Sequence, residues 1–91
     1  MNTKLIIKAQ RLDDEFEHDT LYTWELNSIE ELYNFRRMRI PPEHYTHVYV
    51  TMYMENRLRM AFISNPMTLG QNVFNRFRDY VCSMFGREMF R

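Results

Sequence analysis

Punctuation is scarce in this chain, and its placement limits what the rest can become. Among 91 residues there are three prolines, Pro41, Pro42 and Pro66, and two glycines, Gly70 and Gly86. With so few loop-forming residues, the structured elements must lie close together and be joined by short turns. Asn65-Pro66 reads as a helix start, an N-cap followed by proline at the first helical position, and Gly86 reads as its stop. Between them Leu69, Val73, Phe74, Phe77, Tyr80, Val81, Met84 and Phe85 recur at spacings of three and four, the pattern of an amphipathic helix with Arg76, Arg78 and Asp79 on its other side. Pro41-Pro42 closes a second helix, because proline disfavours helical backbone in the residue before it. That helix opens at Asn27 or Ser28, where Ser28-Ile29-Glu30-Glu31 matches a capping box and puts carboxylates at the positive end of the dipole. Arg36, Arg37 and Arg39 fall at the opposite end, and Ile29, Leu32, Tyr33 and Phe35 supply its buried stripe.

Alternation marks the strands. Leu5, Ile7 and Ala9 alternate with Ile6, Lys8 and Gln10, and Tyr22, Trp24 and Leu26 alternate with Leu21, Thr23 and Glu25, giving strands near 3–11 and 20–26. The acidic segment from Asp13 to Asp19 connects them as an exposed hairpin loop with Phe16 turned inward. Tyr45 to Met54 and Arg57 to Ser64 form a second hairpin around Glu55-Asn56, where asparagine tolerates the left-handed backbone of a tight turn. A two-residue turn there pairs Tyr49, Thr51 and Tyr53 with Phe62, Met60 and Leu58 on one face, and Val48, Val50 and Met52 with Ile63, Ala61 and Arg59 on the other. The expected architecture is one α+β domain over residues 1–91: a four-stranded antiparallel sheet with two helices, in the order β-β-α-β-β-α. Neither face of the second hairpin is polar, and two helices cannot cover both faces of such a sheet. Something else is expected to cover the remaining face, and a dimer mate fits that role.

Charge is sorted along the chain. Residues 1–31 carry eight acidic groups against three basic ones, and residues 32–91 carry nine arginines against four acids, so a formal net charge of zero conceals a strong separation. A domain of this size buries only roughly 60–65% of the surface its unfolded chain exposes, which makes help from a partner or a second copy plausible. Seven Phe, six Tyr, one Trp and eight Met exclude a disordered chain. One cysteine, Cys82, precludes an internal disulfide, and no secretory n-region and apolar core open the sequence, so a cytoplasmic location is expected. No apolar run approaches the ~18 residues needed to span a bilayer.

Catalytic patterns are thin. Glu43-His44-Tyr45-Thr46-His47 brings two histidines beside a carboxylate, but residues three apart share a face on a helix and not on the strand this segment leads into. Cys82 lies in the apolar helix, where a lone cysteine is ordinarily a small hydrophobe. Gly70 and Gly86 build neither a phosphate-binding loop nor a dinucleotide fingerprint, and the acidic run lacks the spacing of a calcium loop. No cofactor, no metal and no enzymatic activity are expected. The arginines carry more: Arg36, Arg37 and Arg39, then Arg57 and Arg59, then Arg76 and Arg78 form three groups interleaved with aromatic and amide side chains. Arginine's rigid donor fork suits phosphate and carboxylate, so these seven are candidates for binding RNA, single-stranded DNA or an acidic partner surface. A sequence pI near 6.8 lies well below the value above about 9 typical of a dedicated nucleic-acid domain. Tyr49, Tyr53 and Met52 are the candidate protein-interface residues, because Tyr, Met, Trp and Arg are enriched where proteins meet.

The Met- and aromatic-rich texture of Tyr49-Val50-Thr51-Met52-Tyr53-Met54, with stretches such as Asn27-Ser28-Ile29-Glu30-Glu31-Leu32 in one short α+β domain, resembles the small accessory proteins of T4-like tailed phages. The resemblance assigns no role to any residue. It implies a host-takeover or anti-defence protein acting in the host cytoplasm, one that binds and blocks a host nuclease, toxin or nucleoprotein through arginine and aromatic contacts. The expected function is therefore a non-enzymatic interaction or inhibitor module, a homodimer, with direct binding of RNA or single-stranded DNA by the arginine-rich C-terminal two thirds as the alternative.

Overall fold

A computed structural model describes residues 4–11, 20–41 and 47–85. Four strands and two helices follow one another as β1 (Leu5–Arg11), β2 (Thr20–Leu26), α1 (Ile29–Phe35), β3 (Val48–Met54), β4 (Arg57–Ser64) and α2 (Leu69–Phe85), with a 3-10 turn, Pro66–Thr68, leading into α2. The fold is α+β. All pairings are antiparallel and the strand order is β2-β1-β3-β4, so two hairpins are joined through β1 and β3 at the centre. Expected boundaries at Tyr45, at the acidic connection with Phe16, and at Gly86 lie outside the described residues.

The caps form as their residue types dictate. Ser28 is extended and its Oγ accepts from the Glu31 amide at 3.2 Å, while the Glu31 carboxylate accepts from the Asn27 amide at 2.6 Å, a capping box reaching one residue further back than usual. Asn65 Oδ1 accepts from the Met67 amide at 2.9 Å, with Pro66 following in the position where its missing N–H costs nothing. Glu55 and Asn56 both take positive φ, 54° and 62°, the geometry of a type I′ hairpin turn. Two expectations about burial are corrected. With only seven residues, α1 lays its last turn on the core through Leu32 and Phe35 and leaves Ile29, in its capped first turn, exposed. Met84 is likewise exposed, on the final turn of α2 beyond Val81.

The register of the second hairpin is also corrected. Met54 faces Arg57 and Tyr53 faces Leu58 as the two-residue turn requires, but Met52 then faces Met60, so Arg59 is an extra residue, a β-bulge. From there to Val48 opposite Ser64 the pairing is displaced by one, which turns every later side chain of β4 to the other face. Met60, Phe62 and Ser64 join Val48, Val50 and Met52 on the core side, and Ala61 and Ile63 turn outward opposite Thr51 and Tyr49. The reason is chemical: the unbulged register would set the Arg59 guanidinium beside Met52 inside the core and expel Phe62 from it.

Both helices pack on this one face. Leu5, Ile7 and Ala9 of β1, Val48, Val50 and Met52 of β3 and Phe62 of β4 form a single buried cluster with Leu32 and Phe35 of α1, Ile40, and Leu69, Val73 and Phe74 of α2. Trp24 closes one side, edge-on to Phe35 at 5.2 Å and stacked on Tyr22 at 5.5 Å. The helices are held together by backbone. The Gly70 amide donates to the Met38 carbonyl, and the Ile40 amide donates to the Pro66 carbonyl, both at 3.0 Å. A Cβ on Gly70 would lie 2.1 Å from the Phe35 carbonyl oxygen and 2.7 Å from the Met38 nitrogen.

Two stability outcomes follow. In Gly70→Ala the gain in helix propensity, about 1 kcal/mol, is outweighed by the backbone clash, and urea denaturation should read a net loss of more than about 3 kcal/mol. Glu55→Asn should do the reverse and stabilise by about 0.5–1 kcal/mol, because asparagine accepts a left-handed backbone that glutamate adopts at a cost. The Glu55–Arg59 ion pair it removes is long, at 3.9 Å, with Glu55 exposed and Arg59 partly buried, and is worth too little to cancel the gain.

Candidate functional site: the open sheet face

Because α1 and α2 share one face, the other is covered by no described element. Its centre is β3, where Tyr49, Thr51 and Tyr53 point the same way at alternate positions. Across β1 they meet Gln10, Lys8 and Ile6, and across β4 they meet Ile63, Ala61 and Leu58. Beyond β1, Thr23 stands opposite Lys8 and Glu25 opposite Ile6. The face is thus divided: its β3–β4 half is aromatic and aliphatic, and its β1–β2 half is polar.

Two outer rows of large side chains border a middle row that is mostly small. Tyr53, Ile6 and Leu58 form one wall, Tyr49, Gln10 and Ile63 the other, and Ala61, Thr51 and Thr23 run between them with Lys8 the one long side chain in the row. Lys8 Nζ lies over the Tyr53 ring, 5.2 Å from its centroid. Thr51 is only 4% exposed, and its hydroxyl has no hydrogen-bond partner among the described residues. The rims are open to solvent, with Leu58 54% and Ile63 56% exposed. Lys4 and Glu25 form an exposed ion pair at 3.7 Å on the polar side.

The candidate residues are distributed differently from their expected grouping. Tyr49 and Tyr53 lie on the open face, half-buried. Met52, expected at the interface, is fully buried in the core, because its position on β3 alternates with theirs. The seven arginines do not form one surface. Arg57 and Arg59 adjoin the hairpin turn, whereas Arg36, Arg76 and Arg78 belong to the helical side and lie over aromatic rings of the protein itself. Arg36 sits 5.2 Å from the Tyr33 centroid and 5.3 Å from that of Phe74, Arg78 sits 5.9 Å from Phe74, and Arg76 sits 5.1 Å from Phe62. Arg36 also donates from Nε to the Tyr33 carbonyl at 2.9 Å, capping α1 from one residue beyond its end. Arg37 and Arg39 are exposed. Arginine at these positions therefore covers aromatic surface as well as carrying charge.

Of the catalytic candidates, Glu43 and His44 lie outside the described residues, His47 is exposed just before β3, and Cys82 is half-buried on α2. Among the described residues no three His, Cys, Asp or Glu side chains converge, and no helix is long and apolar enough to cross a membrane. The outward-facing Leu58, Ala61 and Ile63 and the position of Lys8 were not singled out by the sequence. The one signal was Arg59, a charge set between Leu58 and Met60 inside the strand. Comparison with protein-family models, curated proteins and solved structures gives no match.

The ring contacts separate neighbouring arginines. Arg36→Ala should cost about 1 kcal/mol in thermal or urea unfolding through lost stacking and the lost Nε hydrogen bond, while Arg37→Ala should stay within about 0.5 kcal/mol of the parent.

Proposed function

We propose that this protein is a non-catalytic binding module that engages a partner protein through the open face of its sheet. The observation that carries this is the apolar half of that face, Tyr49, Tyr53, Leu58, Ala61 and Ile63, lying opposite the face where both helices pack. Half-buried tyrosines offer large, rigid contact area at small entropic cost, and a partner laid on them would cover the exposed rims of Leu58 and Ile63. Blocking a host nuclease, toxin or nucleoprotein is the role that the phage resemblance gives to such a contact.

The alternative, direct binding of RNA or single-stranded DNA by the arginines, draws less support. Three of them are stacked on the protein's own rings, and the group is divided between the hairpin turn and the helical side.

Capture of the partner from the native cell, with and without ribonuclease, tests the proposal when parent and variants are compared. Tyr53→Ala and Ile63→Asp should each weaken capture by about tenfold or more, with far-ultraviolet circular dichroism unchanged, and ribonuclease should have no effect. Arg76→Ala with Arg78→Ala should leave capture intact. Loss of the captured material on ribonuclease treatment, or in the arginine variant but not in Tyr53→Ala, would transfer the function to nucleic acid.

A further inference from the structure

β4 is an edge strand of eight residues, paired with β3 on one side. Along its other side the backbone N–H and C=O groups make no hydrogen bond among the described residues. Such an edge is a template for another strand, and proteins ordinarily guard it with charge, bulges or proline. Within the strand itself the guards stand at one end, while Arg76 of α2 lies over Phe62 at the other. Arg57, the bulge at Arg59 and the hairpin turn protect the first part of the strand, while Met60-Ala61-Phe62-Ile63-Ser64 is regular, uncharged and ends at Asn65-Pro66. The opposite edge, β2, carries Glu25 and threonines at 20 and 23, with a bulge near Leu21.

We infer that this protein self-associates by antiparallel pairing of β4 with β4 of a second copy, centred on Phe62, to form a continuous eight-stranded sheet. The occupant is indicated by self-complementarity. About a twofold axis at Phe62, Ala61 of each copy faces Ile63 of the other on the open face, a small residue against a large one, and Met60 faces Ser64 on the core side. The charges within the strand agree with the same register, and the Arg76 guanidinium over the Phe62 ring is the charge that comes nearest the axis. Arg59 of one copy then faces Asn65 of the other, and the two Arg59 residues are separated by roughly six residues of strand, on the order of 20 Å. That exceeds the Debye length of about 8 Å at physiological ionic strength, so the bulge arginines do not repel. A shift toward the turn brings Arg57 and Arg59 of the two copies together and is disfavoured. The guard at one end thus selects the register in which a second copy pairs. This inference does not rest on the proposed function, since it uses the edge of the sheet and leaves Tyr49 and Tyr53 uncovered.

The test is a charge exchange across the inferred pair. Ala61→Lys with Ile63→Lys in one chain, and Ala61→Glu with Ile63→Glu in another, set like charges opposite one another in each homodimer and opposite charges in the mixture. Sedimentation velocity up to about 1 mM should show a dimer for the parent, at least about tenfold weaker association for each variant alone, and a dimer restored on mixing. A parent that remains monomeric at that concentration, or variants that associate as the parent does, would overturn the inference, as would a mixture of folded variants that stays monomeric. Amide hydrogen exchange of the parent needs no variant to fold. Outward amides of residues 60–64 should become protected as concentration rises, and concentration-dependent protection confined instead to β2 or to α2 would equally overturn it.

Discussion

The arrangement depends on one close approach, the crossing of α2 over the segment that leaves α1. At Gly70 the helix lies so near the backbone of residues 35–38 that no side-chain atom fits between them, and a hydrogen bond from its amide to the Met38 carbonyl uses the proximity. A second bond, Ile40 to Pro66, fixes the same two segments a turn earlier. The crossing sets α2 beside α1 on the face of Ile7, Val50 and Met52 rather than on the opposite face. A four-stranded sheet with both helices on one side has its other side covered by no described element. That open face is therefore a consequence of where a glycine permits two backbones to touch, although Gly70 is on the other side of the sheet from it.

The bulge at Arg59 decides what that surface contains. A bulge disturbs the ladder locally, and a backbone hydrogen bond is worth about 1 kcal/mol net. Burying Phe62 contributes about 1.5–3 kcal/mol, and the bulge keeps the Arg59 guanidinium from facing Met52 in the core, although its Nε stays buried with no hydrogen-bond partner among the described residues. The balance favours the bulge, and its result is that Ala61 and Ile63 face outward beside Thr51 and Tyr49. Phe62, turned inward, becomes the ring on which Arg76 lies. A single inserted arginine thus ties the hairpin, the open face and the helical arginines to one register choice.

Local signals were legible in the sequence and remote ones were not. Strand and helix positions follow from alternation and periodicity, except that α1 ends at Phe35 with Arg36 as its C-cap and does not run on to Pro41, and Ser28, Asn65 and Asn56 mark their cap and turn by chemistry that acts within four residues. Alternation placed Tyr49 and Tyr53 together, whereas Met52 was grouped with them by residue type alone, against the period-two alternation that separates residue 52 from 49 and 53 whichever face proves to be the core. Which face that is depends on the crossing at Gly70, a contact between residues more than thirty positions apart. The arginine group is divided in space for a related reason. Arg36 and Arg78 are distant in sequence yet meet at Phe74, so a charge run that reads as a free basic surface is in part a cover for aromatic rings.

Size limits how the open face can be used. Four strands about 4.8 Å apart and seven residues long give a flat footprint of roughly 19 Å by 23 Å, or about 440 Å². A stable protein–protein contact of standard size buries about 800 Å² on each side. One face alone therefore suits a weak contact or one confined to a few anchoring side chains. Pairing through β4 would set two such faces edge to edge, with Ile63 and Ala61 of both copies at the seam, and bring the joint footprint to about 900 Å². The half of each face that adjoins the seam is the apolar half, and the polar half with Lys8, Thr23 and Glu25 is carried to the outside. That gives the combined surface an apolar centre and a polar rim, the anatomy of a protein interface, from two copies that each carry the pattern only in part.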